Sequence, residues 1–345
     1  MNEKKIGIGV VGAGFISGYH LNGLACVENT IVRIICDRDV ERARSQAKRF
    51  NIDETTKDVQ DVIEREDVQA VLILTPNNTH RDLAIQVCSA GKHVMVQKPF
   101  ARSTTEVREM INAASQNNVL LVPSFMHRFM EETIVGKDMI SRGLIGRILG
   151  AHIRNGVPGP LHSEWFFNPE ATGGGAVIDI GVHGIDLLRY LVGEPIKVSA
   201  FVRTGCSPRK LINGKSIAVQ SEDLGSVIYC LNDGTVASQD ISWCQYKGSD
   251  RFSMEIYGDE GTIYLRSEMG RLSFSSERNQ TPSAWIIPQL PNVPFGYKQH
   301  KAFIDAILGI TPYPVTPLDG LATISVAEAI YQSVSEGRAI SISCP

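Results

Sequence analysis

The sequence is set apart first by what it lacks. No stretch approaches the roughly 18 uninterrupted apolar residues that a membrane-spanning helix needs. Neither sign of charge is in excess: 34 basic against 37 acidic residues leave a formal −3, with no long run of either. That argues against nucleic-acid and membrane-surface partners. No Cys-x-x-Cys pair occurs among the seven cysteines, Cys26, Cys36, Cys88, Cys206, Cys230, Cys244 and Cys344, which are scattered and odd in number. A disulfide framework and a zinc site are therefore disfavoured, and a reducing, cytoplasmic setting is expected. No cluster has metal-ligand spacing, so no metal is expected. Internal repeats and low-complexity tracts are missing too. The start, MNEKKIGIGVVGAG, places Lys4 and Lys5 before an apolar run, but Gly7 and Gly9 break that run. A strand entering a glycine turn explains it better than a secretory leader.

What is present is an ordinary globular composition, 43% hydrophobic and 21% charged over 345 residues. That length favours about two domains and needs no staples to build a core. Up to about residue 122, short apolar runs (KIGIGVV, TIVRIICD, AVLILT, KHVMV, VLLVP) alternate with helix-like segments such as ERARSQAKRF and TEVREMINAASQ. Non-alternating, β-branched runs suit a buried parallel sheet with helices on both faces, so this half reads as doubly wound α/β. Ser103 or Thr104 is the expected N-cap of the second helix, with Glu106 in its first turn.

After that the pattern changes. GSVIYCLNDGTVASQDISWC turns around Asn232-Asp233-Gly234, and FSMEIYGDEGTIYLRS around Gly258-Asp259-Glu260-Gly261, both hairpin signals. GRILGAHIR, IKVSAFVRT and GRLSFSS complete a mostly antiparallel sheet, flanked by helices in GGGAVIDIGVHGIDLLRYL, YKQHKAFIDAIL and LDGLATISVAEAIYQSV. The segment from Pro282 to Pro294, with four prolines, reads as an extended surface loop. The expected division is residues 1–123 as a Rossmann domain and 124–345 as an α+β substrate and oligomerisation domain. The C-terminal helix is a candidate to pack back on the first domain.

Two motifs carry chemistry. VVGAGFIS follows the first strand and opens a helix, with Gly12 and Gly14 in the first two positions of a dinucleotide fingerprint and Ser17 in the third. Phe15 and Ile16 complete the turn. Asp37 ends the second strand, 20 residues after Ser17, where a carboxylate binds ribose hydroxyls and repels a 2′-phosphate. NAD is expected, and Arg38 beside it leaves NADP open. The second motif is Gly173 to Leu191. Read as a helix, it lines up Asp179, His183, Asp186 and Tyr190 on one side and Val177, Ile180, Gly184, Leu187, Leu188 and Leu191 on another. The polar line is either a solvated stripe or a catalytic face.

TPNNTH (75–80), AGKHVMVQKPFARSTTE (90–106) and GGGAVIDIGVHGID (173–186), together with the N-terminal fingerprint, resemble the glucose–fructose oxidoreductase / inositol dehydrogenase / MocA family over nearly the whole chain. The resemblance implies a Rossmann domain followed by an α/β domain with an open antiparallel sheet. It implies NAD(P)-dependent hydride transfer at a hydroxyl or keto carbon of a sugar or polyol. It makes Lys98, Asp179 and His183 the active-site trio, and the Lys98–Pro99 bond cis. Thr75, Pro76, Asn77, His80, Gln97 and Lys98 are carried over as cofactor-cleft residues, and homodimers or homotetramers through the sheet are implied.

Chemistry asks for such a trio. A histidine exchanges the carbinol proton, an aspartate one turn away orients it, and a lysine hydrogen-bonds the reacting oxygen. The glycines at 173–175 are expected to admit cofactor or substrate to the backbone. One departure stands out: the family usually has Glu-Lys-Pro where this chain has Gln97-Lys98-Pro99, which removes a negative charge beside Lys98. Tyr19, Arg128, Asn155, His162 and Trp165, with Asp179 and His183, are the candidates for binding substrate hydroxyls, whereas His152 and His300 read as structural. Two rival readings remain at this stage: an NAD-dependent glycoside hydrolase on the same fold, and a catalytically silent dinucleotide-sensing regulator.

Overall fold

The computed structural model of the chain describes residues 5–246, 251–267, 270–278 and 284–342; Cys344 and Pro282 lie outside the described residues. The chain folds as two units, Met1–Phe129 with Asn292–Leu321, and Met130–Pro291 with Ala322–Pro345.

In the first unit, β1 (Ile6–Val11), β2 (Thr30–Cys36), β3 (Glu54–Thr56), β4 (Ala70–Ile73), β5 (His93–Gln97) and β6 (Leu121–Ser124) form one sheet in the order β3-β2-β1-β4-β5-β6. Every pairing is parallel. β1, IGIGVV, is buried along its whole length, as an unalternating apolar run between two strands must be. The covering helices are α1 (Ser17–Ala25), α2 (Val40–Phe50), α3 (Val59–Ile63), α4 (His80–Ser89) and α5 (Thr104–Gln116). Their ends follow local chemistry. Asp39 caps α2 by accepting from Arg42 N, and Asn51 closes it in the left-handed region. Ser103, one of the two expected caps, accepts from Glu106 N at 3.2 Å, while Glu106 accepts from Arg102 N at 2.9 Å.

The core of this unit joins Ile8, Val10, Leu72 and Met95 of the sheet to Leu21 and Leu24 of α1. It also takes in Phe303 and Ile304 from a helix almost 300 residues downstream. Each such side chain contributes roughly 1.5–3 kcal/mol on burial. The segment Asn292–Leu321 therefore completes the doubly wound core.

The second unit contains α6 (Glu131–Ser141), β7 (Ile148–Gly156), α7 (Pro169–Thr172), α8 (Val182–Leu191), β8 (Pro195–Arg203), β9 (Arg209–Lys210), β10 (Ser216–Ile217), β11 (Leu224–Leu231), β12 (Val236–Ser242), β13 (Phe252–Gly258), β14 (Gly261–Ser267), β15 (Gly270–Ser276) and β16 (Ile340–Ser341). The two late helices are α9 (Tyr297–Ile307), in the first unit, and α10 (Pro317–Glu336). Eight strands form a sheet in the order β15-β14-β13-β7-β12-β11-β8-β16, antiparallel except for β7 beside β12.

Both expected hairpins are present, with Cys230 opposite Val236 and Tyr257 opposite Thr262. β12 alternates as a half-buried strand should, with Ala237, Gln239 and Ile241 inward and Asp240 outward. The outward face leaves Phe201 81% and Ile228 57% exposed. No helix among the described residues is long and apolar enough to cross a membrane.

Candidate active site

The candidate cofactor residues of the first unit gather at the carboxyl ends of β1, β2, β4 and β5, where an open α/β sheet reverses its strand order. Gly12 leaves β1 with φ +105°, and a Cβ there would stand 2.5 Å from Leu74 O. Gly14 has no atom within 4 Å of the position a Cβ would take, so its backbone is approachable. Ser17 replaces the third glycine without loss, because it is fully buried and its hydroxyl donates to Gly14 O at 2.7 Å. Ile16 starts α1 with no side-chain cap, and Phe15 beside it is exposed. An uncapped helix start behind an open glycine is what a pyrophosphate requires. Asp37, at the end of β2, accepts from Ala13 N at 2.8 Å and from Asp39 N at 2.9 Å, tying the strand end to the turn. Arg38 is exposed next to it. These residues fit a dinucleotide.

Thr75 follows β4, and its hydroxyl lies 2.6 Å from that of Thr79, which also donates to Pro76 O. Asn77 is buried. His80 does not face water. It is fully buried, with Nε2 2.9 Å from Thr75 O and Nδ1 3.0 Å from Pro99 O. Burial pushes its pKa down while the two carbonyls pull it up; the net direction is down. A neutral His80 donates to one of these two carbonyls and is lodged between the end of β4 and the residue after Lys98. Gln97 is buried, Lys98 half-buried, and the Lys98–Pro99 peptide is cis, as the resemblance implies.

In the second unit the candidate residues begin at the three glycines, where packing supplies a reason that the sequence did not show. A Cβ on Gly174 would meet Tyr331 Oη at 2.0 Å, and one on Gly175 would meet Glu222 O at the same distance. Packing inside this unit requires these glycines, so admitting a ligand is not needed to explain them. The Glu222 carboxylate accepts from Gly175 N, Val177 N and the Tyr331 hydroxyl, at 2.9, 3.0 and 2.8 Å. Its burial raises its pKa in spite of those bonds.

The segment that follows is not α-helical from its start: Val177–Gly181 form a π-helical turn, and α8 begins at Val182. π turns recur at functional sites. Asp179 and Asp186 are 8% and 1% exposed, which removes the solvated-stripe reading. Asp179 Oδ2 accepts from the indole Nε1 of Trp243 at 3.2 Å, and Trp243 is completely enclosed. His183 is half-buried in the first turn of α8. Beneath it, Gln239 donates to Asn155 Oδ1 at 2.8 Å and to Gly181 O at 2.9 Å. The exposed ring of His162 is held down in pKa by desolvation, with the Asp179 carboxylate pulling the other way. Trp165 stacks on Phe166 at 3.8 Å.

Three residues expected to bind substrate have other occupations. Tyr19 is buried and donates to Gln299 Oε1 at 2.7 Å, Arg128 is paired with Asp319 at 3.0 Å, and Asn155 belongs to the amide network under α8. Sequence spacing did not reveal Gln239 on β12, Trp243 just after it, or Glu222 in the loop before β11. Nor did it reveal that Cys206, Asp223 and Cys244 place ligand-type atoms within 4.8 Å of one another. The Arg209 guanidinium lies 3.1 Å from both Asp223 Oδ2 and Cys244 Sγ, so a cation already supplies the charge a metal would bring.

A dinucleotide turn at this place on this sheet order, joined in one chain to an α+β unit carrying a buried carboxylate one turn before a histidine, defines an NAD-dependent oxidoreductase class. The comparisons with known proteins agree. Residues 6–125 match the model described as "Oxidoreductase family, NAD-binding Rossmann fold", and residues 136–264 match the "GFO/IDH/MocA C-terminal domain". The chain belongs to the GFO/IDH/MocA family of oxidoreductases. It is similar to a levoglucosan dehydrogenase of Pseudarthrobacter phenanthrenivorans, with 27% identity over 98% of this chain and 91% of the relative. It is similar also to a myo-inositol 2-dehydrogenase of Thermotoga maritima, with 25% identity over 97% and 98%. Among solved structures, a levoglucosan dehydrogenase in complex with NADH and L-sorbose superposes with a TM-score of 0.90, at 25% identity and 99% coverage of both chains.

Proposed function

We propose that this protein is an NAD-dependent dehydrogenase or reductase acting on a CH–OH carbon of a sugar or polyol. The observation that carries the reading is the pairing of Asp179 and His183. A carboxylate is pinned by an enclosed indole, one turn ahead of a partly accessible imidazole. Such an imidazole takes the hydroxyl proton when an alcohol is oxidised and returns it when a ketone is reduced. Asp179 orients that ring and favours its protonated form. Lys98 donates a hydrogen bond to the same oxygen and stabilises its developing negative charge. When bound, NAD supplies the hydride acceptor or donor. Gly12, Gly14, Phe15 and Ile16 form the bed for its pyrophosphate, Asp37 with Arg38 takes the adenosine ribose, and Thr75 to Asn77 border it.

His162 and Trp165, on the loop before α7, are the proposed substrate contacts. An aromatic platform and an exposed imidazole suit the alternating C–H and O–H faces of a sugar ring. Residues 1–123 would then serve the cofactor and 124–345 the substrate. The exposed sheet face with Phe201 and Ile228 is the proposed contact between copies of the chain.

The test is turnover of NAD across a panel of free sugars and polyols. Reduction of added NAD by a free sugar is expected. His183→Gln should lower kcat by about 10²–10⁴-fold with little change in NAD affinity. Release of an aglycone without net NADH, or NAD binding with no turnover of any substrate, would overturn the reading.

A further inference from the structure

His20 on α1 and His300 on α9 are both fully buried. Their rings meet edge to face with centroids 5.1 Å apart, and His20 Nδ1 lies 3.0 Å from His300 Nε2. The tautomers follow by elimination. His300 Nδ1 is 2.6 Å from Gly296 O. A carbonyl only accepts, so Nδ1 carries the proton. A neutral His300 then offers a lone pair at Nε2, and His20 Nδ1 must donate to it. That leaves His20 Nε2 with a lone pair as well.

This last nitrogen is buried without a hydrogen-bond partner. Gln97 lies opposite Ser124 on β6, whose hydroxyl accepts from Gln299 beside His300, and it is the side chain that interacts with His20; its Oε1 is likewise buried and unpartnered. Two acceptors cannot satisfy each other, and an unmet buried polar atom costs about 1–3 kcal/mol. Half a turn of the terminal amide resolves both failures, because it offers the NH2 group to the imidazole.

We propose that Gln97 is a positioning residue: its amide NH2 donates to His20 Nε2 and completes an uncharged buried relay, Gln97–His20–His300–Gly296 O, that fixes the end of β5 from which Lys98 emerges. From the other side His80 is lodged against Pro99 O, so Lys98 is gripped on both flanks. The relay gives a physical reason for glutamine where the family usually has glutamate. A carboxylate has no proton to give, and would be satisfied only by a doubly protonated His20.

The surroundings oppose such a cation. Tyr19 packs its ring 5.0 Å from His20 and 5.8 Å from His300, and through Gln299 reaches Ser124 and Tyr313, all uncharged groups. Among the described residues the groups acting on the two imidazoles are each other, Gln97 and Gly296. Burial holds both in their neutral forms, with His300 lowered to about 4.

The inference rests on the proposed role of Lys98 only in its kinetic arm, so the two fail separately. The experiment records imidazole ¹⁵N NMR signals of the full-length wild type and of Gln97→Glu, alongside steady-state kinetics. In the wild type, Nε2 of both rings is expected to be unprotonated and Nδ1 protonated from about pH 6 to 8. In Gln97→Glu the site must take up a proton to replace the lost N–H donor, so the His20 ¹⁵N signals are expected to become pH-dependent between about pH 5 and 8. There kcat should fall about 3- to 10-fold while KM for NAD stays within about twofold. A protonated His20 Nε2 in the wild type overturns the proposal, as do His20 signals that match the wild type at every pH, or an unchanged kcat, in the variant. If the variant does not fold, the wild-type tautomers decide alone. Absence of turnover in the wild type would count against the proposed activity and leave the tautomers as the test of the relay.

Discussion

At the scale of single residues, the contact that most constrains the candidate site is the indole of Trp243 on Asp179. Trp243→Phe keeps an aromatic ring in the enclosed space and removes only the N–H donor. A neutral donor to a buried carboxylate contributes about 1–3 kcal/mol. The variant is therefore expected to lose about 10-fold or more in kcat/KM with NAD affinity retained, as steady-state kinetics will show. An unchanged kcat/KM would remove Asp179 from the mechanism.

Candidate residues could be picked from the sequence because the chemistry needs particular groups at particular spacings, as with Gly12 and Gly14 before Asp37, or Asp179 before His183. What was not legible is who holds them. Trp243 and Glu222 lie more than 40 residues from the groups they fix, and no local pattern marks an indole that donates or a carboxylate that caps. Tyr19, Arg128 and Asn155 carry internal bonds that were equally hidden. Polar residues near a motif looked like ligand contacts and are engaged inside their own units.

At the scale of elements, Gly174 and Gly175 ahead of the π turn are a packing requirement. Gly175→Ala forces a Cβ to within 2.0 Å of the Glu222 backbone carbonyl, which cannot swing aside as a side-chain tip would. Overpacking of this kind costs typically 1–3 kcal/mol, so a fall in Tm of several degrees is expected by calorimetry, together with loss of activity as the turn carrying Asp179 shifts. The π turn itself was invisible to periodicity, since residues four apart share a side in either helix type.

The α1–α9 contact makes a second prediction. His20 and His300 are neutral when folded, with pKa values depressed below the unfolded value near 6.5, that of His300 to about 4. Below pH 6.5 the unfolded chain therefore binds more protons than the folded one. The stabilisation present above that pH is lost as pH falls from 6.5 towards 4. Urea unfolding across this range should show the loss, and His300→Phe should flatten it. A wild-type stability that does not change over that range would contradict neutral, buried rings.

At the scale of the whole molecule, the two-part grammar of the chain was readable. Unalternating apolar runs became the parallel sheet, and alternating runs with Asn-Asp-Gly and Gly-Asp-Glu-Gly turns became the hairpins. The parallel pairing of β7 with β12 was not readable, because it joins strands about 80 residues apart with no turn between them. Nor was the membership of Asn292–Leu321 in the first unit, which is decided by Phe303 and Ile304 finding the core under β1.

The sheet face of β8 and β11 exposes the large apolar side chains Phe201 and Ile228. If copies of the chain associate through it, Phe201→Asp combined with Ile228→Asp should convert the assembly to a monomer in light scattering without unfolding it. An unchanged mass would place any self-association elsewhere.

The proposed chemistry requires Lys98, Asp179 and His183 to serve one carbinol. The decisive measurement is a crystal structure of the protein with NADH and a sugar that it turns over. The oxygen on the reacting carbon is expected about 2.6–3.2 Å from both a ring nitrogen of His183 and Lys98 Nζ. An oxygen that touches neither group would contradict the proposed mechanism.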